Sequence, residues 1–447
     1  MIDDIFQRLS TLEEVGLDYL TLNRTTNTLS GGESQRIKMS KHLNSSLTDI
    51  LYIFDEPSTG LHPHDIIGIN KIFKGLKDKG NTVVIVEHDP DVIKIADHII
   101  DMGPKPGIHG GEILFEGTYL ELLNSHTITG LALSEKHKIN MINKEFTEFY
   151  ELNNANMFNL KNISVKIPKN ALTVVTGVAG SGKSTLITRL FINSYPNSIL
   201  LDQKRVYTSS RSILATYIGF FDKIRALFGK ANDQSPSLFS YNGKGACPLC
   251  KGMGIIKTDL AFLDDVEQTC ELCGGRRYSE EALSYKYKGY TISDILNLTV
   301  EEALTVFTDK EIKKILHTIQ EVNLSYIKLG QSLDTLSGGE LQRLKIAVTL
   351  LNDTGEIYIL DEPSTGLHEA DTKKLIVLLN KLIQRGKTII ALEHNLSIMC
   401  HADWIIDLGP LGGFNGGELV YMGYLQNITN CSSSLTGKRL LEYISKE

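Results

Sequence analysis

Gly177-Val178-Ala179-Gly180-Ser181-Gly182-Lys183-Ser184-Thr185 is the stretch on which the reading of this chain turns. An apolar run, Leu172-Thr-Val-Val-Thr176, precedes it and reads as a buried strand. A helix-like stretch, Leu186 to Ile192, follows it. Strand, glycine-rich loop and helix start are the context a phosphate-binding loop requires. In such a loop consecutive backbone N–H groups converge on phosphate oxygens, and the helix N-terminus adds partial positive charge. Lys183 then reaches the β- and γ-phosphates, while the Ser184 hydroxyl is placed to ligate Mg²⁺.

Outward from the loop, the chain repeats itself. Leu29-Ser-Gly-Gly-Glu33 recurs as Leu336-Ser-Gly-Gly-Glu340, 307 residues later. Asp55-Glu56-Pro57-Ser-Thr-Gly-Leu-His62 recurs as Asp361-Glu362-Pro363-Ser-Thr-Gly-Leu-His368 at an offset of 306. Glu87-His88 and Glu393-His394, then Asp101-Met-Gly-Pro104 and Asp407-Leu-Gly-Pro410, follow at the same spacing. Ile50–Phe54 and Thr82–Val86 read as buried strands, Asp65–Lys79 as a helix, and Ile5–Leu20 as one amphipathic helix. Short strands alternating with helices predict α/β architecture with mainly parallel sheets, built as two paired halves. The phosphate loop has no twin. Residues 1–29 leave no room for strand, loop and helix.

Composition sets the outer bounds. The 447 residues are 42% hydrophobic and 22% charged, with a formal net charge of −7. That balance argues against a nucleic-acid binder working by bulk electrostatics. No apolar run approaches the roughly 18 residues of a membrane helix, and the acidic start is no secretory signal, so a cytoplasmic protein is expected. Cys247, Cys250, Cys270 and Cys273 form a C-x2-C-x19-C-x2-C pattern suited to tetrahedral Zn²⁺. Four thiolates leave no open coordination position, so that metal would be structural. From Tyr241 to Gly289 seven basic residues face seven acidic ones, so charge does not mark the module as a DNA contact.

A strand ending in Asp-Glu beside a phosphate loop has a specific use. Asp361 can hold Mg²⁺ through water, and Glu362 can orient or deprotonate the attacking water. His394 can reach the γ-phosphate side, and Gln203 suits a sensor of metal and water. Leu-Ser-Gly-Gly-Glu ahead of Asp-Glu-Pro and a later Glu-His resembles the ATP-binding-cassette ATPases. The Asp-Glu-Pro-Ser-Thr-Gly-Leu-His blocks, the four-cysteine module, Tyr285-Lys-Tyr-Lys-Gly-Tyr-Thr-Ile292 and Ala402-Asp-Trp404-Ile-Ile-Asp407 resemble, more narrowly, the UvrA family. The likeness runs along nearly the whole chain, matched to the later part of the family's sequence.

The resemblance implies two ATP-binding-cassette halves, the second carrying an inserted zinc module and a helical signature domain. Four segments follow: 1–130, a first-half signature and Asp-Glu region without a phosphate loop; 131–204, a second-half ATP core; 205–335, the insertion; and 336–447, the second-half signature, Asp-Glu and His region. In such cassettes one half's loop faces the other half's signature. Gly177, Gly180, Gly182, Lys183, Ser184, Thr185, Gln203, Asp361, Glu362 and His394 would then face Ser30, Gly31 and Gly32 across ATP and Mg²⁺. The mirror site, with Asp55, Glu56, His88, Ser337, Gly338 and Gly339, lacks its phosphate loop. The expectation is a truncated or split member, or a chain completed by an N-terminal half or dimer partner.

The implied function is an ATP-hydrolysing subunit of excision repair that binds damaged double-stranded DNA and is not itself a nuclease. A UvrB-like partner is implied too, though its binding region is absent here. Two departures, Val206–Tyr217 without prolines and Ala261-Phe-Leu-Asp264-Asp265, resemble shorter UvrA-like drug-resistance ATPases instead. A non-hydrolysing scaffold and a transporter subunit are the remaining alternatives; the four-cysteine module and the fused halves disfavour the transporter.

Overall fold

The computed structural model describes residues 2–26, 31–43, 48–104, 110–135, 138–141, 145–202, 211–258, 266–352 and 355–445. Ser30, Gln203, Val206–Ser210 and Ala261–Asp265 lie outside the described residues. The chain forms two compact units, Met1–Gln203 with Thr354–Glu447, and Lys204–Asp353.

The first unit is built on a six-stranded sheet with the order 418–424, 404–409, 172–177, 388–392, 357–361, 199–201. All neighbours run parallel except Glu418–Tyr424, which is antiparallel to Trp404–Gly409. Leu172–Gly177 and Thr388–Leu392 are buried at every position, as strands covered on both faces must be, which is why both read as unbroken apolar runs. The phosphate loop leaves the C-terminal end of Leu172–Gly177, and Asp361 ends Ile357–Asp361, so both reach the same sheet edge. After the loop, Thr185–Phe191 is wound as a π-helix, and Ile192 N–H donates to the Ile187 carbonyl five residues back. Phe149–Ala155 pairs antiparallel with Ile163–Pro168 beside this core.

The first copy shows what the missing strand does. Leu51–Asp55 pairs in parallel with Thr82–Val86, and Ile99–Gly103 pairs antiparallel with Glu112–Gly117, but these are separate two-stranded sheets. In the second copy, Leu172–Gly177 joins the corresponding strands by bonding to both. The two strands expected to be buried in the first copy are therefore not. Leu51, Ile53, Val84 and Val86 are exposed, and only the opposite face, with Tyr52 and Phe54, packs onto Pro63–Asp78.

The N-terminal helix differs from expectation as well. The N-terminal helix is Ile2–Glu14 and does not continue to Leu20, because Gly16 turns the chain at φ 70°. In the second unit the helical stretch 300–324 is two helices, Val300–Val306 and Lys310–Glu321; the Asp309 carboxylate accepts from Glu311 and Ile312 N–H and starts the second. The signature helix Gly338–Asn352 packs against Lys310–Glu321 and belongs to this unit, so the boundary drawn at 335/336 falls inside it.

Candidate functional site

The site in the first unit is assembled from both copies. Gly177 sits at φ 135° with the Leu408 carbonyl only 2.0 Å from where a Cβ would stand, so the loop leaves the sheet by a path open only to glycine. Lys183 Nζ donates to the carbonyls of Gly177 (2.7 Å) and Val178 (3.1 Å). Burial lowers its pKa to about 8, against the opposing pull of Glu362, Asp65, Asp407 and Asp361. The buried cation therefore stands among carboxylates from the second copy and one, Asp65, from the first.

Glu362 is strongly perturbed. Burial, with Asp361 and Glu393 repelling its charge, raises its pKa to about 7, and Lys183 partly opposes this. Its backbone is left-handed, φ 49°, as is that of its counterpart Glu56, φ 44°. Strain repeated at the same position of both copies marks a functional constraint. The Ser-Thr-Gly turns are exchanged between copies. A Cβ on Gly60 would lie 3.3 Å from both Glu362 carboxylate oxygens, and one on Gly366 would lie 3.6 Å from Glu56 Oε1. Each turn thus covers the other copy's glutamate.

The Glu-His pairs divide their work. Glu393 accepts from the backbone N–H of Ser364 (2.9 Å), His394 (2.7 Å) and Asn395 (2.9 Å), and so holds the turn and the His together. Glu87 does the same for Ser58, His88 and Asp89. His394 is buried, and its pKa is driven well below the ordinary value by burial and by Lys183, His62 and Arg36, so its imidazole is neutral. His88 is exposed and lies 3.8 Å from Glu56. The two histidines thus differ in exposure, while Glu362 and Glu56 are both half-buried.

The signature helix of the first copy, Gly31–Leu43, lies at this site. Its Glu33 accepts from Tyr19 Oη (2.6 Å) and pairs with Arg24 (3.3 Å). The Tyr19 ring covers Gly180, where a Cβ would stand 2.6 Å from Cδ2, and it also packs on Gly412 and Gly413. The structure therefore brings the loop, Asp361, Glu362 and His394 to the helix that begins with Gly31 and Gly32. In the second unit Ser337 and Gly338 are exposed, and Ser337 N–H donates to Glu340 (2.7 Å) at the helix start.

Tyr19, His62, Asp65, Asp407 and Thr436 were not picked out as site residues from the sequence. Their signal was present. Tyr19 and Tyr326 stand at the 307 offset, and Thr127-Ile-Thr129-Gly130 recurs at that offset as Ser434-Leu-Thr436-Gly437. The repeat runs further in both directions than its glycine-rich blocks suggest.

In the second unit the four cysteines are buried, and their Sγ atoms all lie within 4.8 Å of one another. Cys247–Cys270 and Cys250–Cys273 are 3.9 and 3.7 Å apart. A tetrahedron with metal–sulfur bonds of about 2.3 Å has edges of about 3.8 Å, so the thiols fit zinc without rearrangement. Gly254 N–H donates to Cys250 Sγ (3.2 Å), and the Cys273 N–H draws the Cys270 thiol down to about 7, toward the thiolate. The hairpin Ile255–Thr258 with Val266–Thr269 projects between the two pairs.

A phosphate loop, a signature helix and exchanged turns from two sequence copies define an ATP-binding-cassette protein. The family model described as ABC transporter matches residues 160–365. The chain is 44% identical to UvrABC system protein A of Aquifex aeolicus, covering 100% of this chain and 52% of that protein. It is 43% identical to the Bacillus subtilis protein of the same name, covering 100% and 50%. The structure of UvrA2 from Deinococcus radiodurans superposes with a TM-score of 0.93 at 39% identity, over 99% of this chain and 57% of that one. The chain belongs to the UvrA family and spans about half the length of the curated relatives it matches.

The raised carboxyl of Glu362 links stability to pH. Between about pH 4.5 and 7 the folded protein holds a proton that the unfolded chain has released, so stability falls as pH rises through this window. The side chain is half-buried, so of roughly 3 kcal/mol for such a shift about 1–2 kcal/mol should survive solvent screening. Glu362→Gln should therefore be more stable than the wild type above pH 7, with the gain gone below pH 4.5. Urea unfolding across pH 4.5–8 measures this; a gain independent of pH would assign it to something other than the carboxyl.

Proposed function

We propose that the chain is the ATP-hydrolysing, DNA-binding part of a UvrABC-type excision-repair subunit that recognises damaged duplex, working in the cytoplasm. The observation that carries this reading is the second-copy set, Lys183, Asp361, Glu362 and His394, closed by the first copy's turn and signature helix. Among the described residues no helix is long and apolar enough to cross a membrane.

The loop N–H groups and Lys183 bind the phosphates, and Ser184 and Asp361 would hold Mg²⁺, which would offset charge on the phosphate oxygens. Glu362, poised near neutrality, takes the proton of the attacking water, and a pKa close to working pH suits a general base. Neutral His394 donates or accepts a hydrogen bond at the γ-phosphate side without adding charge. The signature residues Ser30, Gly31 and Gly32 would serve the γ-phosphate from the first copy, and Gln203 would serve as the sensor of metal and water. Ser337, Gly338 and Gly339 would serve a second site, whose strand, loop and helix come from an N-terminal half or a partner chain. In domain terms 1–130 is the first half, 131–203 with 354–447 the core of the second, and 204–353 the insertion together with the second signature helix.

Zn²⁺ at Cys247, Cys250, Cys270 and Cys273 holds the module that presents its hairpin to DNA. A UvrB-like protein is a partner of the complete assembly.

Glu362→Gln should keep ATP binding and lower hydrolysis about 10²–10⁴-fold, the range for losing a general base. Glu56→Gln on the chain alone should cost much less. Turnover measured with and without damaged duplex, and with an N-terminal fragment added, tests the reading; equal losses from the two substitutions would overturn the pairing of the halves.

Metal analysis should find zinc near one per chain in the wild type and none in Cys270→Ser. Full zinc in that variant would refute the assignment.

A further inference from the structure

Two hydrogen-bond chains, one buried and one half-buried, cross between the copies, and neither uses a residue with an assigned role. His62 ends the first copy's Ser-Thr-Gly turn and is fully buried. Its Nδ1 accepts from His64 N–H (3.2 Å), capping the helix Pro63–Asp78, so the ring proton lies on Nε2. Nε2 stands 3.0 Å from Thr436 Oγ1 and donates to it; Thr436 in turn donates to Asp407 Oδ1 (2.9 Å). Ser434 donates to the other oxygen, Oδ2 (2.6 Å). Asp407 is paired in register with Thr176, and Leu408 with Gly177, at the root of the phosphate loop.

The reciprocal chain has the same parts. His368 Nδ1 accepts from Ala370 N–H (3.2 Å), Nε2 stands 3.2 Å from Thr129 Oγ1, and Thr129 donates to Asp101 (2.8 Å). His62 also meets the His394 ring edge-on at 5.8 Å, and His368 meets His88 at 6.4 Å. The helices that carry the threonines are exchanged too: Leu435–Ile444 packs on Pro63–Asp78, and Ile128–Ser134 packs on Glu369–Gln384.

We propose that His62 is a positioning residue that, through Thr436 and Asp407, fixes the first copy's turn to the root of the second copy's phosphate loop. The turn that covers Glu362 and the loop that holds the phosphates then move as one body. A fully satisfied buried chain favours this single arrangement, because breaking any link leaves a buried polar atom unpaired. The inference rests on the ATPase reading and adds to it a direct mechanical link between the halves. It predicts that the chain serves turnover and not nucleotide affinity, since none of its members is placed to touch phosphate.

Thr436→Val removes the hydroxyl at nearly constant shape, Thr436→Ser restores it, and His62→Asn keeps the helix cap while losing the reach of Nε2. On the full chain, ATP turnover, nucleotide affinity and thermal melting are measured for each variant and for the double variant His62→Asn/Thr436→Val. Thr436→Val should lower kcat about tenfold, the scale of a modest coupling between sites, with KM within about twofold. Thr436→Ser should recover to within about twofold of wild type, and the double variant should be no slower than the worse single.

If Thr436→Val fails to fold, His62→Asn against His62→Gln, which keeps a donor in place of Nε2, carries the same comparison. Wild-type kcat in Thr436→Val, a loss that Thr436→Ser does not recover, or losses that multiply in the double variant would overturn the relay. Absence of turnover in the wild type, with the N-terminal fragment supplied, would instead defeat the ATPase reading, and the relay with it.

Discussion

Strand Leu172–Gly177 is hydrogen-bonded along both edges and covered on both faces, and the first unit's site depends on it. It sets the height at which the phosphate loop emerges, and it places Asp407 on one side and Glu393 on the other, where Glu393 N–H donates to the Val175 carbonyl. The first copy supplies the control. Among the described residues it has no strand of this kind: its two sheets stay separate, one apolar face of Leu51–Asp55 and Thr82–Val86 meets solvent, and His88 is exposed. Identical motif residues thus acquire different chemistry. Surroundings, and not residue identity, separate buried His394 from exposed His88.

Burial has a cost that the charges offset. Burying Lys183 disfavours its charged form, and burying Glu362 beside Asp361 and Glu393 disfavours another carboxylate. Each eases the other, because the cation attracts the carboxylates that repel one another. A nucleotide adds negative charge to this group. The loop's N–H groups, the signature helix N-terminus and a divalent cation would be the compensating positive charge, which is what a metal-bound phosphate would need in so crowded a site.

Much of this was legible in the sequence, and the reasons are specific. The phosphate loop, the repeated Asp-Glu-Pro-Ser-Thr-Gly-Leu-His block and the cysteine spacing are backbone-geometry or ligand-geometry requirements written as fixed residue types. The burial of Leu51–Asp55 and Thr82–Val86 was not legible, because a parallel strand's apolar run reports the sheet it is built to join and not whether the neighbour is present. The helix expected over Ile5–Leu20 ends at Glu14, because Gly16 takes a left-handed φ that an apolar periodicity does not report. Tyr19, His62 and Thr436 escaped because an aromatic, a histidine and a threonine each have ordinary structural uses. Only their recurrence 306 or 307 residues away sets them apart.

The two relays are not equal, and the inequality follows the sites they serve. Asp407 has a hydroxyl on each oxygen and is buried with His62, Ser434 and Thr436. Asp101 receives one hydroxyl, its Oδ2 is buried without a hydrogen-bond partner among the described residues, and His368 and Thr129 are only half-buried. The difference traces to Thr127, whose hydroxyl caps Gly130 and meets Ser125, where Ser434 both caps Gly437 and donates to Asp407. In the second copy the aspartate leans on the phosphate-loop strand; in the first it borders the place where such a strand would lie. An unpaired carboxylate oxygen at that place costs stability until a neighbour supplies a donor. The more fully satisfied relay is thus the one that leans on the phosphate-loop strand.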